Sequence, residues 1–354
     1  MKTSNVSNLS IQNAMRLTIL QAQNELLTAQ TEVTTGKYAD IGVSLGSKTA
    51  ISLDLTRDVM RLKSQIDTNS IADQRLESSE ESMKQMADSA QKMMDALLAL
   101  SGSQDANSLS VAKKSISDAL AGFTDKANTS VNGEYLFSGI NTDVKPLDDY
   151  LAAGSPAKAA FDAAFLGYFG FNQSSPQTAN IVASGAAPSM DDFLTTAVEP
   201  MFADPAWGTN WSKATDEVMT SRISQTEVVN TSSSANSAGM RNFAMAAVIS
   251  IELLGMNIKE DVRKVVSDKA IATTGVATSG INAERSNLGL SQNRVTKATE
   301  SLNIQQDIME NNLSSLVGVD AYEASTRVNN LLALMEASYT LTAKIQQLSL
   351  VNYL

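Results

Sequence analysis

Prolines are confined to one stretch of this chain, and that distribution constrains its fold more than any other feature. All six prolines and both tryptophans lie within residues 146–211 of the 354. Because proline inside a helix removes a backbone hydrogen bond and clashes with the preceding turn, the proline-free tracts on either side can form long helices. The sequence therefore predicts a mainly α protein in which both termini build a long helical-bundle or coiled-coil rod.

Apolar residues spaced seven apart support this prediction on both sides of the proline-rich stretch, because that spacing places them on one helix face. The two longest rows are Leu55, Leu62, Asn69, Leu76, Met83, Ala90 and Leu97, and Ile281, Leu288, Val295, Leu302 and Met309. Asn69 either fixes the register of a buried seam or marks a turn where the row reaches the surface. Met83, Met86, Met93 and Met94 are interpreted as core residues, with an adaptable binding face as the alternative.

The two terminal helices carry similar but diluted rows. They consist of Ile19, Leu26 and Val33 with Leu20 and Leu27 at the N-terminus, and of Leu334, Leu341 and Leu348 with Leu331, Ser338, Ile345 and Asn352 at the C-terminus. A single pair of such helices buries too little apolar surface to be stable, so we expect them to pair with each other and with neighbouring copies. The predicted assembly interface comprises Leu20, Leu27, Leu331, Leu334, Leu341, Ile345 and Leu348.

The middle of the chain has a different character. Tyr135 and Phe137 alternate between glycines as in a strand, and residues 221–229 are expected to form a strand that pairs with them. Residues 146–211 hold ten of the eighteen aromatic residues, which predicts a small, separately cored insert of mixed α/β structure. The predicted domain organisation is a terminal coiled-coil domain (1–50 and 305–354), a helical rod domain (51–145 and 212–304) and the inserted domain (146–211).

Composition argues against several classes of function. A formal net charge of −11 repels nucleic acid and anionic lipid, so neither is expected as a partner. The chain has no cysteine and no histidine, which removes thiolate nucleophiles, the usual general base and the commonest metal ligands. The first residues contain no uninterrupted apolar segment, so we expect no cleaved signal peptide and, if the protein is exported, a route that retains its N-terminus.

Short motifs that resemble catalytic signatures have simpler interpretations. Ser-x-x-Lys occurs at Ser89, Ser110 and Ser155 without the accompanying motifs of penicillin-binding enzymes. The adjacent pairs Asp148–Asp149 and Asp191–Asp192 are more typical of solvated turns and helix starts than of acid–base pairs. We therefore predict no catalytic, cofactor-binding or metal-binding residues, and a protein that is not an enzyme.

Four segments resemble the flagellin superfamily of bacterial flagella. They are residues 26–37 (LLTAQTEVTTGK), residues 133–139 (GEYLFSG), residues 286–294 with SNLG and QNR, and the C-terminal segments 320–324 and 343–354. The glycine-flanked segment and the ending SLVNYL are more similar to hook-associated members than to filament flagellin. The stretch 39–46 departs from the usual flagellin pattern and is similar to alpha-proteobacterial members.

This resemblance implies an extracellular structural subunit, exported through the flagellar type III apparatus after a chaperone has held its C-terminal helix. It would polymerise with itself as a junction ring between hook and filament, with the first hook-associated protein on one side and flagellin on the other. Two alternatives stay open. One is a minor flagellin, and the other is a non-flagellar coiled-coil protein with an activity in the insert.

Overall fold

The computed structural model describes residues 8–102 and 105–351 and is dominated by helices. The α-helices are α1 (Asn8–Thr35), α2 (Ile41–Leu45), α3 (Thr49–Gly102), α4 (Ala106–Ala127), α5 (Pro156–Phe169), α6 (Met190–Phe193), α7 (Ala206–Asn210), α8 (Ala238–Leu253), α9 (Glu260–Val317) and α10 (Ala321–Val351). Short 3-10 turns cover Gly46–Lys48, Pro176–Asn180 and Glu199–Phe202, and a π turn covers Leu194–Val198. The prediction of a mainly α protein is confirmed.

The chain divides into two compact units. One consists of residues 1–64 and 302–354, and the other of residues 65–301. Within the second unit, the predicted seven-residue rows of α3 and α9 are buried, from Leu76 to Leu97 and from Ile281 to Val295. Met83, Met86 and Met93 are fully buried, which confirms their interpretation as core residues, while Met94 is half-buried.

Asn69 is fully buried in the α3 row, so the alternative in which the row drifts to the surface there is wrong. Its side-chain amide donates to the carbonyl oxygen of Ile223 at 3.0 Å and to the hydroxyl of Thr299 at 3.2 Å. Its side-chain oxygen accepts a hydrogen bond from Gln65 at 3.1 Å. A buried amide satisfied from three sides favours the one register that provides these partners.

The strands form two separate hairpins rather than the single pairing that the sequence suggested. Strand β1 (Ser130–Val131) pairs with β2 (Glu134–Tyr135), and β3 (Thr220–Arg222) pairs with β4 (Val228–Asn230). The expected partnership of Tyr135–Phe137 with 221–229 is therefore wrong. Each segment has a tight turn that allows it to pair locally, and local pairing costs less loop-closure entropy. The two regions of the chain do meet, but through an isolated bridge between Ser138 and Ser234.

Residues 146–211 do not have the separate core that their composition suggested. Their aromatic side chains form one contiguous apolar cluster with helices α3, α4, α8 and α9. Trp207 donates to the side chain of Asn236 at 2.8 Å, and the Arg241 guanidinium lies 5.7 Å from the centre of the Trp207 ring. Twelve of the sixteen residues in α8 are buried, so other segments must pack against nearly every side of this helix. Residues 146–211 provide part of that packing.

A polar cluster beneath this segment holds it to α8. Glu252 of α8 accepts hydrogen bonds from the Tyr150 hydroxyl at 3.1 Å and from Lys158 at 3.1 Å. Burial raises the pKa of Tyr150 far above its usual range, and the negative charge of Glu252 raises it further. Burial lowers the pKa of Lys158, but hydrogen bonds and charge attraction from Glu252 and Asp162 outweigh this, so that the net pKa is raised.

Both raised pKa values predict a loss of stability in alkali. Unfolded tyrosine deprotonates near pH 10.0, whereas folded Tyr150 stays protonated, so the free energy of unfolding should fall as pH rises above about 10. We expect Tyr150→Phe to flatten this fall, and to cost about 0.5–1.5 kcal/mol at neutral pH through the lost hydrogen bond. Urea unfolding across pH 7 to 11 measures both effects, with Tyr322→Phe, an exposed ring, as the matched control. An unchanged alkaline slope in Tyr150→Phe would contradict the assignment.

Helices α8 and α9 touch at two glycines. A Cβ atom on Gly280 would lie 2.7 Å from the Gly239 Cα atom, and one on Gly239 would lie 2.6 Å from the Ile281 backbone nitrogen. No side chain fits at such distances, so the two backbones pack directly against each other.

Substitution of Gly280 by alanine should therefore force α8 and α9 apart. We expect the free energy of unfolding to drop by about 1–3 kcal/mol, because overpacking in a dense core is poorly accommodated. Gly289→Ala in the same helix is the control, since nothing lies within 4 Å of its added Cβ. That control should gain about 0.5–1 kcal/mol from better helix propensity. Equal stabilities of the two variants in urea titrations would refute the close contact.

Candidate functional site

The two terminal helices pair with each other in antiparallel orientation. Contacts join Met15 to Thr342, Gln23 to Tyr339, and Glu32 to Arg327, so the partner number in α10 falls as the number in α1 rises. The inner face of this pair contains the buried residues Ala22, Ala29 and Leu331, with Leu26, Val328 and Met335 packed around them. Small side chains allow the two backbones to approach closely, but they bury little apolar area.

A set of polar contacts fixes the end of α1. The carboxylate of Glu32, 5% exposed, accepts a hydrogen bond from the Arg327 guanidinium at 3.0 Å. The chain beyond Gly36 then forms a backbone bridge between Lys37 and Gly318, next to the hydrogen bond from the Val319 nitrogen to the Gly36 carbonyl oxygen at 3.0 Å. These contacts determine which part of α1 faces which part of α10.

Removing Arg327 tests the importance of this polar anchor. Arg327→Met leaves the buried Glu32 carboxylate without its ion-pair partner, which should destabilise the α1–α10 pair by about 1–3 kcal/mol. Hydrogen exchange of the amides in the C-terminal half of α1 would report the change. Arg57→Met is the matched control, because its ion pair with Asp54 is mostly exposed and should contribute less than about 0.5 kcal/mol. If both variants exchange alike, the anchor does not stabilise the pair.

Nine large apolar or aromatic side chains are exposed on the described parts of the two helices, among polar neighbours. Side chains that are 38–83% exposed on them are Leu17, Leu20, Leu27, Val33, Tyr322, Leu332, Leu334, Tyr339 and Leu341. We call these residues the outer face. Single exposed leucines are normal on proteins, but their concentration along two paired helices makes this pair the candidate functional site.

The predicted interface residues divide between the two faces. Leu331 is buried on the inner face and Ile345 is half-buried, whereas Leu20, Leu27, Leu334 and Leu341 lie on the outer face. The side chain of Leu348 lies outside the described residues.

Sequence reasoning did not identify the alanines that make the inner contact, nor the Glu32–Arg327 ion pair. The seven-residue separation of Ala22 and Ala29 was the available signal for the former.

The groups singled out as possible catalysts have structural roles. Asp148 forms an ion pair with Lys213 at 3.1 Å, and Asp192 accepts a hydrogen bond from the Tyr168 hydroxyl. Burial raises the pKa of Tyr168, and the hydrogen bond to Asp192 raises it further. The Ser89 hydroxyl donates to the Gln85 carbonyl oxygen within its own helix, at 3.1 Å. Within 8–102 and 105–351, no three acidic side chains are grouped closely enough to hold a metal ion.

Comparison with known proteins gives two matches to family models. Residues 6–142 match the N-terminal helical region of bacterial flagellin, and residues 271–354 match its C-terminal helical region. Together these matches cover more than half of the chain, including both helices of the outer face. No curated protein sequence matches the chain significantly.

A solved structure from Vibrio parahaemolyticus, provisionally described as a flagellar hook-associated protein, is also similar. The alignment has 12% identity and a TM-score of 0.43, and covers 74% of this chain and 97% of that one. A TM-score at this level does not by itself establish a shared fold. Separately, none of the helices in the described part of the chain is long and apolar enough to cross a membrane.

Proposed function

The chain belongs to the bacterial flagellin superfamily, and from that premise we propose that it forms the junction ring between hook and filament. Members of this family are structural subunits of the extracellular flagellum that polymerise with themselves. The proposed role corresponds to that of the third hook-associated protein. The segments 133–139 and 349–354, which resemble hook-associated members, support this choice within the family.

The outer face is the observation that carries the proposal. Helices α1 and α10 are 28 and 31 residues long, yet the apolar cluster between them contains three buried side chains among the described residues. Long helices in proteins derive most of their stability from packing of an apolar face, and here much of that face is exposed. The terminal helices of neighbouring copies, which have the same residues, are the partners that we propose to cover it.

Other proposed partners follow from the position in the assembly. We propose that the first hook-associated protein lies on the hook side and flagellin on the filament side. Before assembly, an export chaperone would cover the apolar residues of α10, and the type III apparatus would then export the chain. The absence of cysteine supports this route, since a chain without thiols cannot form disulfides while it is unfolded.

A filament subunit is the second candidate. Both matching family models describe flagellin itself, which favours a filament role as much as a hook-associated one. Immunogold labelling of isolated hook–filament structures separates the two possibilities. Label confined to the hook–filament boundary supports the junction ring, whereas label along the whole filament supports the second candidate.

Truncation of outer-face leucines tests the assembly mechanism. Leu334→Ala with Leu341→Ala should cost about 2–5 kcal/mol per residue where each leucine is fully buried between copies. The free protein should keep its melting temperature, because both side chains are 47–50% exposed in it. Cells that carry this variant should still make the protein but lose filaments, with flagellin released into the medium and motility lost.

Two controls accompany this experiment. Leu166→Ala removes a leucine of equal exposure, 51%, from α5 and should leave motility intact. Asp191→Asn with Asp192→Asn removes the best remaining acid–base pair and should also leave motility intact. Harmless leucine substitutions together with disabling aspartate substitutions would reject the structural role in favour of chemistry in residues 146–211.

A further inference from the structure

The β1–β2 hairpin turns through two residues, Asn132 and Gly133. Val131 pairs directly with Glu134 across the turn, and both turn residues are exposed. Their φ angles are 54° and 86°, and Asn132 is the one non-glycine residue with positive φ in the described part of the chain. Asparagine followed by glycine suits this mirror-image turn because both residues tolerate the left-handed conformation.

We propose that Asn132 is a site of spontaneous deamidation whose isoaspartate product opens the β1–β2 hairpin. In the reaction, the backbone nitrogen of Gly133 loses its proton and attacks the side-chain carbonyl carbon of Asn132. A carbon–nitrogen bond forms, ammonia leaves, and the result is a cyclic succinimide. Water then cleaves either carbonyl of the ring, which gives aspartate or isoaspartate. The reaction needs no oxidant, cofactor or enzyme.

Three observations make this position more reactive than other asparagines. Gly133 has no side chain to block the attacking nitrogen, and nothing lies within 4 Å of where its Cβ would be. In a two-residue hairpin the ladder hydrogen bonds run between the flanking residues, so the Gly133 N–H takes no part in the β1–β2 ladder, and Gly133 is exposed. The reaction requires the turn to leave its native φ and ψ, and a ladder of two residue pairs opens readily.

The product would disturb contacts that hold the hairpin in place. The Arg75 guanidinium forms an ion pair with Glu134 at 2.6 Å and donates to the Tyr135 carbonyl oxygen at 3.1 Å. Isoaspartate at position 132 inserts one extra carbon into the backbone two residues before Glu134. The pairing of Val131 with Glu134 then loses its register, and the Leu136 N–H bond to the Thr129 carbonyl oxygen, 3.1 Å long, is displaced with it.

Three asparagines in one tryptic peptide allow an internal comparison. Peptide 127–158, in which Pro146 blocks cleavage after Lys145, contains Asn128, Asn132 and Asn141. Asn141 is also exposed but precedes Thr142, whose branched side chain crowds the attacking nitrogen. Asn128 is held on both sides by the backbone of Leu147, at 2.9 and 3.0 Å. Reactivity should therefore fall from Asn132 to Asn141 to Asn128.

The experiment ages the folded full-length protein at mildly alkaline pH, then digests it quickly in mild acid and locates the amide-to-acid mass change by tandem mass spectrometry. We expect Asn132 to convert at least about tenfold faster than Asn141, because the glycine that follows Asn132 imposes no steric barrier. We also expect hydrogen exchange at the Leu136 amide to accelerate in the aged protein. The Asn132→Gly variant keeps a residue suited to positive φ but has no side-chain amide to lose. Its Leu136 amide should still exchange slowly after the same treatment. Equal conversion of Asn132 and Asn141, or unchanged Leu136 exchange in the aged protein, would overturn the proposal.

Discussion

The burial of long rows of side chains seven residues apart is the interaction on which the larger unit depends. Helix α3 places Asn69, Leu76, Met83, Ala90 and Leu97 on one buried face, and α9 does the same with Ile281, Leu288 and Val295. Such a repeat has one weakness, since a shift of one helix by seven residues preserves most apolar contacts. Buried polar groups with fixed partners, such as Asn69 with Ile223 and Thr299, restrict the helices to one alignment.

The terminal helices use the same repeat in a different way. Their mutual contact is made by Ala22, Ala29 and Leu331 with Leu26, Val328 and Met335 around them, whereas Leu20, Leu27, Leu334 and Leu341 are exposed. The pair has a small apolar inner face, is joined by the ion pair of Glu32 with Arg327, and leaves several large apolar side chains exposed. In the assembly that we propose, burial of these exposed side chains would provide a free-energy difference that can drive polymerisation.

The sequence predicted the parts of this fold that depend on the seven-residue repeat. The helical tracts and the buried rows of α3 and α9 follow from spacing along one helix. The sequence was less informative about contacts between residues that are far apart in the chain. The separate core expected for 146–211 was wrong. Helix α8 is apolar on nearly every side, so other segments, including 146–211, pack against it and share its core. The pairing expected between 135–137 and 221–229 was wrong because each segment closes its own hairpin.

The same distinction explains why the leucine rows of α1 and α10 could be read from sequence while the ion pair between these helices could not. A leucine row is visible to any periodic analysis, but Glu32 and Arg327 are 295 residues apart, and their pairing follows only once α1 and α10 are aligned. Conversely, the leucines of the outer face lie among exposed polar residues, such as Gln21, Glu25 and Asn330. Apolar contacts provide attraction but little choice of register. In the assembly that we propose, polar groups beside the leucine rows would set the alignment of one copy with the next. The Tyr339 hydroxyl, which accepts a hydrogen bond from Gln23, shows how such groups act within one chain.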